Sequence, residues 1–274
     1  MKDKIKIMGI LVLTGFSFFY TKEVSDIIRK NDPIMNQIND VKNDMVVSKI
    51  DGILMNDEYI TGINGCIVDE KNSYNNMKNL GSFKEELLVM KEDKIDEVDN
   101  VYIIGGNKEK RNISIILLDI NDNLDSFLKE KNIKVNYFLD GKYITQNVDK
   151  LIKISKYSNI YNYGRDKKYL SKYIVYDNTV ISSNFNNESN YCLFDEKNEE
   201  ELKLCNTYKM KGIKSEIITK DILSSVKEKI TNGKIFVLDN DNTEELKITI
   251  NYILSKGYKI VTLDELLDES NTCD

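Results

Sequence analysis

The sequence predicts an α/β protein in which a parallel sheet is covered by helices. Three observations predict it. Continuous apolar runs such as Ile113–Leu118 and Ile235–Leu238 read as strands buried on both faces. Amphipathic helical stretches separate these runs. Gly, Asn and Asp punctuate nearly every junction. This alternation builds either a (β/α) barrel or a doubly wound sheet, and in both the C-terminal ends of the strands carry any binding or catalytic chemistry.

From about residue 36 to 111 the signals are short and describe a small α+β region. Met45–Ile50 reads as a strand, Asp51-Gly52 and Asn64-Gly65 as turns, and Ile67-Val68 as a further strand. A helix over Ser73–Leu80 closes at Gly81, and Glu85–Met90 reads as a strand. The βα alternation starts after Gly105-Gly106. Strand Ile113–Leu118 leads through Asp119-Ile-Asn-Asp-Asn123 to a helix over Leu124–Lys131, and Lys134–Phe138 is the second strand. A helix from Thr145 places Val148, Leu151, Ile152 and Ser155 on one face. Tyr173–Tyr176 reads as a third strand. Glu199–Lys211 reads as a helix with Leu202, Cys205 and Tyr208 inward and Gly212 as its C-cap. A helix opened by Thr219 ends at Asn232-Gly233, and strand Ile235–Leu238 follows. Asn242-Thr-Glu-Glu245 forms a capping box for a helix running to Gly257, and Tyr258–Val261 closes the series.

The N-terminus carries a basic flank followed by a mostly apolar run over residues 7–20, a targeting pattern. The run is short for a spanning helix, which takes about 20 apolar residues. Phe18, Phe19 and Tyr20 stand where signal cleavage requires small residues. Residues 1–21 therefore read as an uncleaved anchor in the cell membrane with the bulk outside, with a cleaved signal peptide and a secreted product as the alternative. A buried N-terminal element of an intracellular protein competes with both. Residues 22–35, with Pro33, read as a polar linker, and 269–274 as a tail.

Composition narrows the chemistry. There are 39 Lys plus Arg against 45 Asp plus Glu, a net charge of −6, so nucleic acid is not an expected partner. Histidine is absent from all 274 residues. That excludes a histidine general base, Ser-His and Cys-His nucleophile pairs and His-ligated zinc. Cys66, Cys192, Cys205 and Cys273 show no C-x-x-C spacing and read as buried thiols, with a Cys192–Cys205 bridge as the alternative for an exported chain.

Two strand ends look alike, Leu118-Asp119-Ile-Asn-Asp122 and Leu238-Asp239-Asn-Asp241. Converging on one mouth, these four carboxylates would suit a hard cation or an acid/base pair. Asp and Asn are also favoured turn and N-cap residues, and each segment precedes a helix, so capping alone accounts for the residue types.

A family resemblance rests on two stretches. Asn136-Tyr-Phe-Leu-Asp-Gly-Lys-Tyr143, a helix ending near Lys156, and Asn159-Ile-Tyr-Asn-Tyr163 together resemble a segment of the polysaccharide deacetylases (the NodB-homology family, carbohydrate esterase family 4). That segment runs from the second barrel strand to the metal-binding histidines. Gly233–Asn240, a helix and Ser255–Leu267 are similar to the family's closing strand, helix and strand. The resemblance covers about 112–268. It implies a deformed (β/α) barrel of the polysaccharide deacetylase type, preceded by the small α+β region at 36–111 and the N-terminal hydrophobic segment. It also implies a metal-dependent fold often tethered outside the cell and acting on N-acetylated glycans.

Carried over position by position, the resemblance puts Asp119 at the catalytic base and Ile120 at the neighbouring metal-ligand aspartate. It puts Tyr163 and Lys167 at the two ligand histidines. Tyr191-Cys-Leu-Phe194 falls at the Arg-Pro-Pro-Tyr motif and keeps only the aromatic ring, and Asp239 stands at the general-acid histidine. Ile120 offers no donor and a lysine repels a cation, so no metal or other cofactor is expected. The favoured expectation is a membrane-tethered, deacetylase-like protein without hydrolysis. It would bind cell-wall glycan through Tyr137, Tyr163 and Phe194, with Tyr143 and Tyr161 near the same mouth, or bind a surface protein; core packing explains the same aromatics. A deacetylase using Asp119 and Asp239 as a carboxylate pair is the alternative, and a soluble intracellular interaction protein is the second.

Overall fold

The computed structural model describes residues 24–273, apart from 170, 186, 188 and 189. The apolar run at 7–20 lies outside the described residues, and among those described no helix is long and apolar enough to cross a membrane. Helices α1 (24–30) and α2 (Pro33–Val41) come first. Asp32 caps α2 through the Ile34 N–H, and Pro33 occupies the first turn, where its missing N–H leaves no bond unmade. The stretch expected as a polar linker is therefore helical, and Pro33 starts a helix.

An antiparallel hairpin, β1 (Ile53–Met55) and β2 (Glu58–Ile60), follows. Next come β3 (Gly65–Val68), α3 (Glu70–Met77), a 3₁₀ turn at Glu85–Leu87 and β4 (Met90–Asp93), which pairs antiparallel with β3. The strand expected over 45–50 is reduced to single bridges at Val47 and Ile50. The strand expected over 85–90 begins only at Met90, because Leu87 and Leu88 pack sideways onto the Ile38–Met77 cluster.

The remaining chain alternates. Its first half is β5 (Tyr102–Gly105), β6 (Asn112–Leu117), α4 (Asp122–Glu130), β7 (Asn136–Leu139), α5 (Gly141–Gln146), α6 (Val148–Ile154), β8 (Asn159–Asn162) and α7 (Ser171–Asn184). The second half is β9 (Tyr191–Phe194), α8 (Glu199–Thr207), β10 (Lys211–Lys214), β11 (Ile217–Ile218), α9 (Ile222–Lys229), β12 (Ile235–Leu238), α10 (Thr243–Ser255), β13 (Lys259–Val261) and α11 (Leu263–Leu266). Two expectations are corrected. Tyr173–Tyr176 is helical, since Ile174, Asp177 and Ile181 are buried at helical spacing, and the strand in this region is β8. Gly212 lies inside β10, where a Cβ would strike the Leu202 side chain, and does not cap α8.

The chain forms two compact units. The smaller comprises the described residues up to Lys49 with Asn64–Lys94 and Asn271–Cys273, built round Ile34, Met35, Ile38, Val68 and Met77. The Cys66–Cys273 disulfide lies within it. The larger comprises Ile50–Ile63 and Ile95–Ser270, and so takes in residues 50–63 and 95–111 from the region read as a separate small fold. Here Cys192–Cys205 joins β9 to α8. All four cysteines are thus bridged, where the sequence reading favoured thiols.

The larger unit holds two sheets. One has the order β1-β2-β5-β10-β9, parallel apart from the hairpin. The other runs β11-β12-β6-β7-β8, all parallel, with β13 also on β6. Strand residues divide by parity. Ile116, Phe138, Tyr161, Ile235 and Val237 join the interior cluster, while Ile115, Leu117, Tyr137, Phe236 and Leu238 face the helices. Gly106 N–H donates to Gly233 O at 2.8 Å, and Ser215 Oγ to Ile235 O at 3.0 Å, fastening one sheet to the other.

One polar cluster lies deep in this core. β13 pairs with residues 112–114 of β6 and β7 with 116–117, so two strands share one edge of β6. Asn136 sits at that seam, fully buried. Its Nδ2 donates to Ser114 Oγ at 2.7 Å and Ile115 O at 3.0 Å, and its Oδ1 accepts from Leu263 N–H at 2.9 Å. Ser114 Oγ in turn donates to Val261 O at 3.0 Å. Asn136→Ala strands a buried N–H and a buried carbonyl, so urea unfolding should show a loss of about 3 kcal/mol. A loss below about 1 kcal/mol would show that the seam is satisfied without the side chain.

Candidate functional site

Leu117 and Leu238 are register partners, so Asp119 and Asp239 leave neighbouring strands at nearly the same level. They line two adjoining clefts. The larger, about 360 Å³, opens between the ends of β6, β7, β8 and β12, with Tyr163 on its wall and Tyr143 and Lys167 at its edge. The smaller, about 250 Å³, lies between the starts of α4 and α10 and adds Ile120 and Asp241. Burial raises the Asp119 carboxyl above its ordinary value, Asp239 and Asp241 raise it further, and Lys167 pulls it back. Burial, with Asp195 and Asp239 nearby, pushes the Tyr163 phenol up to about 12, so it is neutral at physiological pH.

The loop after β8 shapes the larger cleft. Arg165 and Lys168 exchange backbone hydrogen bonds of 3.0 and 3.1 Å around Asp166 and Lys167, both left-handed with φ of 53° and 58°. Two successive positive φ values make this a primed turn, a geometry that favours Asn-Gly and strains a lysine. Two aspartates hold it. Asp140 caps α5 through the Lys142 N–H at 2.8 Å with Oδ1, while Oδ2 accepts the Asp166 N–H at 2.9 Å. Asp177, buried on α7, takes both arms of Arg165, at 3.0 Å to Nε and 2.6 Å to Nη2. Arg165 also stacks over Tyr173, 4.0 Å from the ring centroid.

The structure therefore gathers Asp119, Asp239, Asp241, Tyr163 and Lys167, and leaves the other candidates elsewhere. Tyr137 faces the helix layer, with its hydroxyl donating to Asp125 Oδ1 at 3.3 Å, and is not at the mouth. Phe194 is buried, edge-on to Tyr102 at 5.5 Å and tilted on Tyr169 at 5.9 Å, so it is core. Tyr161 is buried in the interior cluster, its hydroxyl donating to Asp264 Oδ2 at 3.2 Å. Asp122 begins α4 and pairs with Lys150 at 2.9 Å, while Asn121 is the cap. Sequence reasoning missed Asp140, Arg165 and Asp177. The cap was visible in Asp140-Gly141 before a helix, whereas nothing local links Arg165 to Asp177.

No protein-family model matches the chain, and no curated protein matches it. Solved structures do. Wild-type BA3943 from Bacillus anthracis, described as a CE4 family pseudoenzyme, is 21% identical, with 88% of this chain and 97% of that one covered at a TM-score of 0.62. A BA3943 mutant described as having restored enzymatic activity is 22% identical, covering 88% and 100% of the two chains at 0.62. The Bc1960 peptidoglycan N-acetylglucosamine deacetylase is 14% identical, covering 62% and 95% at 0.52. The chain has the CE4 polysaccharide deacetylase fold, as its sequence resemblance implied.

That fold implies a divalent metal at the mouth, and the donors here do not fit one. Ile120 has no donor atom, Tyr163 is a neutral phenol, and Lys167 brings three N–H donors and no acceptor. Among the described residues, no three His, Cys, Asp or Glu side chains are grouped to hold a metal ion.

Arg165→Ala leaves a buried carboxylate unpaired, so it should lower unfolding free energy by about 3 kcal/mol. It should also speed amide hydrogen exchange through residues 163–168; unchanged exchange there would show that Asp140 alone holds the loop. The raised Asp119 carboxyl gives a second expectation. The folded chain holds that proton more tightly than the unfolded one, so this contribution is present in acid and lost as pH climbs past the ordinary carboxylate value. Asp119→Asn should raise the melting temperature at pH 7 and lose that advantage near pH 3.

Proposed function

We propose that this protein is an exported, non-hydrolytic member of the CE4 fold that binds N-acetylated cell-wall glycan at the barrel mouth. The observation that carries the loss of hydrolysis is the donor set just described. A metal-assisted attack on an amide needs several ligands and a general acid near neutrality. Here an isoleucine, a neutral tyrosine and a lysine occupy the ligand positions, in a chain with no histidine. The solved relatives described as pseudoenzymes support the same reading, and a peptidoglycan N-acetylglucosamine deacetylase on this fold supports the glycan class.

The mouth has the means to hold a polar ring. Its cleft of about 360 Å³ is lined by Tyr163, Tyr143, four aspartates and a lysine, whose polar atoms suit ring hydroxyls. Export is supported by the pairing of all four cysteines, since structural disulfides belong to oxidising compartments. The basic-then-apolar N-terminal pattern supports tethering to the membrane.

Co-sedimentation of the full-length chain with insoluble peptidoglycan and with chitin tests the binding. Retention is expected at low and moderate salt, at least fivefold weaker in Lys167→Glu, an exposed position whose reversal adds a further carboxylate beside Asp119 and Asp239. Absence of retention at both salts overturns the glycan reading. Export has its own check: protease added to intact cells should digest the chain, and full protection would contradict it.

A further inference from the structure

A second cleft, about 450 Å³ and so larger than the mouth, lies at the N-terminal ends of β5 and β10, away from the ends that carry Asp119 and Asp239. Thr61 lines it. This side chain is 6% exposed, and its hydroxyl has no hydrogen-bond partner. Buried hydroxyls are nearly always paired, and this orphan sits enclosed in the cleft wall, where a turn of the threonine side chain brings it to a bound ligand. Beside it, Tyr59 donates its hydroxyl to Glu269 Oε1 at 2.9 Å, and the Gly62 N–H donates to the same oxygen at 3.3 Å. Glu269, which also lines the cleft, is thereby oriented.

The walls carry charge of both signs. Glu97 and Asp99 stand on the segment before β5, Lys209 on the turn into β10 and Lys211 at its first position. Among the described residues none of these four makes an ion pair. Asn206 Nδ2 donates to Asn100 Oδ1 at 2.9 Å, clasping the two segments together. Between them the floor is apolar, formed by Val101, Ile103 and Met210.

We propose that this cleft binds a zwitterion: an amino acid or short peptide with a free ammonium, a free carboxylate and an apolar body. An anion alone would face Glu97, Asp99 and Glu269, and a cation alone would face two lysines, whereas a zwitterion pairs with both walls. A neutral sugar fits poorly, because it leaves Glu97, Asp99, Lys209 and Lys211 without counter-charges. The ligand's polar backbone supplies the partner that Thr61 lacks.

Calorimetric titration of the full-length chain with the dipeptide Ala-Leu, against N-acetyl-Ala-Leu-amide, tests this. Ala-Leu should bind saturably, and capping both ends should weaken it at least tenfold. Thr61→Val should weaken Ala-Leu at least fivefold with an unchanged or higher melting temperature, since it removes a hydroxyl that no protein group uses. Lys211→Gln, at an exposed position, makes the same comparison if the valine variant folds poorly. Asp119→Asn should leave dipeptide binding unchanged, which keeps this cleft separate from the mouth. No saturable heat, equal binding of the capped peptide, or full affinity in both cleft variants would overturn the proposal.

Discussion

The barrel depends on how one edge of β6 serves two strands. β7 and β13 divide that edge between them, and a divided edge leaves backbone groups unpaired at the join. Asn136 fills the join, bonding the Ile115 carbonyl, the Ser114 hydroxyl and the Leu263 N–H from a fully buried position. It thus docks the start of α11 and sets β7 beside β6. β6, β7 and β8, which pairs with β7, then deliver Asp119, Asp140 and Tyr163 to a common mouth. None of the Asn136 partners touches the mouth clefts. The seam and the mouth share no residues, so the seam's hydrogen bonds persist when the site's residues change.

At the mouth, what remains is an electrostatic balance and a locked loop. Asp119 faces Asp239 and Asp241, and Lys167 offsets part of that repulsion. Lys167 reaches the cleft from a left-handed backbone in a turn that a buried ion pair and a doubly bonded aspartate hold in place. The strain at 166 and 167 is the kind that persists where surrounding structure over-determines it. The loop that, by the sequence resemblance, corresponds to the one carrying the metal-binding histidines here presents a lysine.

Much of this was legible in the residues. Runs such as Ile113–Leu118 and Ile235–Leu238, and the Asn242 cap on α10, translate directly into structure because burial and capping are local matters. Elements failed where tertiary contacts decided. Tyr173–Tyr176 has strand-like residues, yet Ile174, Asp177 and Ile181 commit it to a helix that buries the partner of Arg165. Tyr137 and Phe194 were aromatic in plausible places, and only strand parity and ring packing show that they face away from the mouth or into the core. The Cys66–Cys273 bridge spans 207 residues, a separation no local pattern reveals. Asp119 and Asp239 were found because both follow a buried strand, a rule that holds for parallel sheets in general.

The donor set at the mouth, with Ile120, a neutral Tyr163 and Lys167, does not fit the metal that the fold implies. Titration of the purified full-length chain with Zn²⁺ and Co²⁺, with acetate release from an N-acetylated chito-oligosaccharide followed in the same samples, tests it most directly. The account predicts no saturable one-to-one metal binding and acetate at the buffer rate. Stoichiometric metal that is lost in Asp119→Asn, together with metal-dependent acetate release, would contradict it.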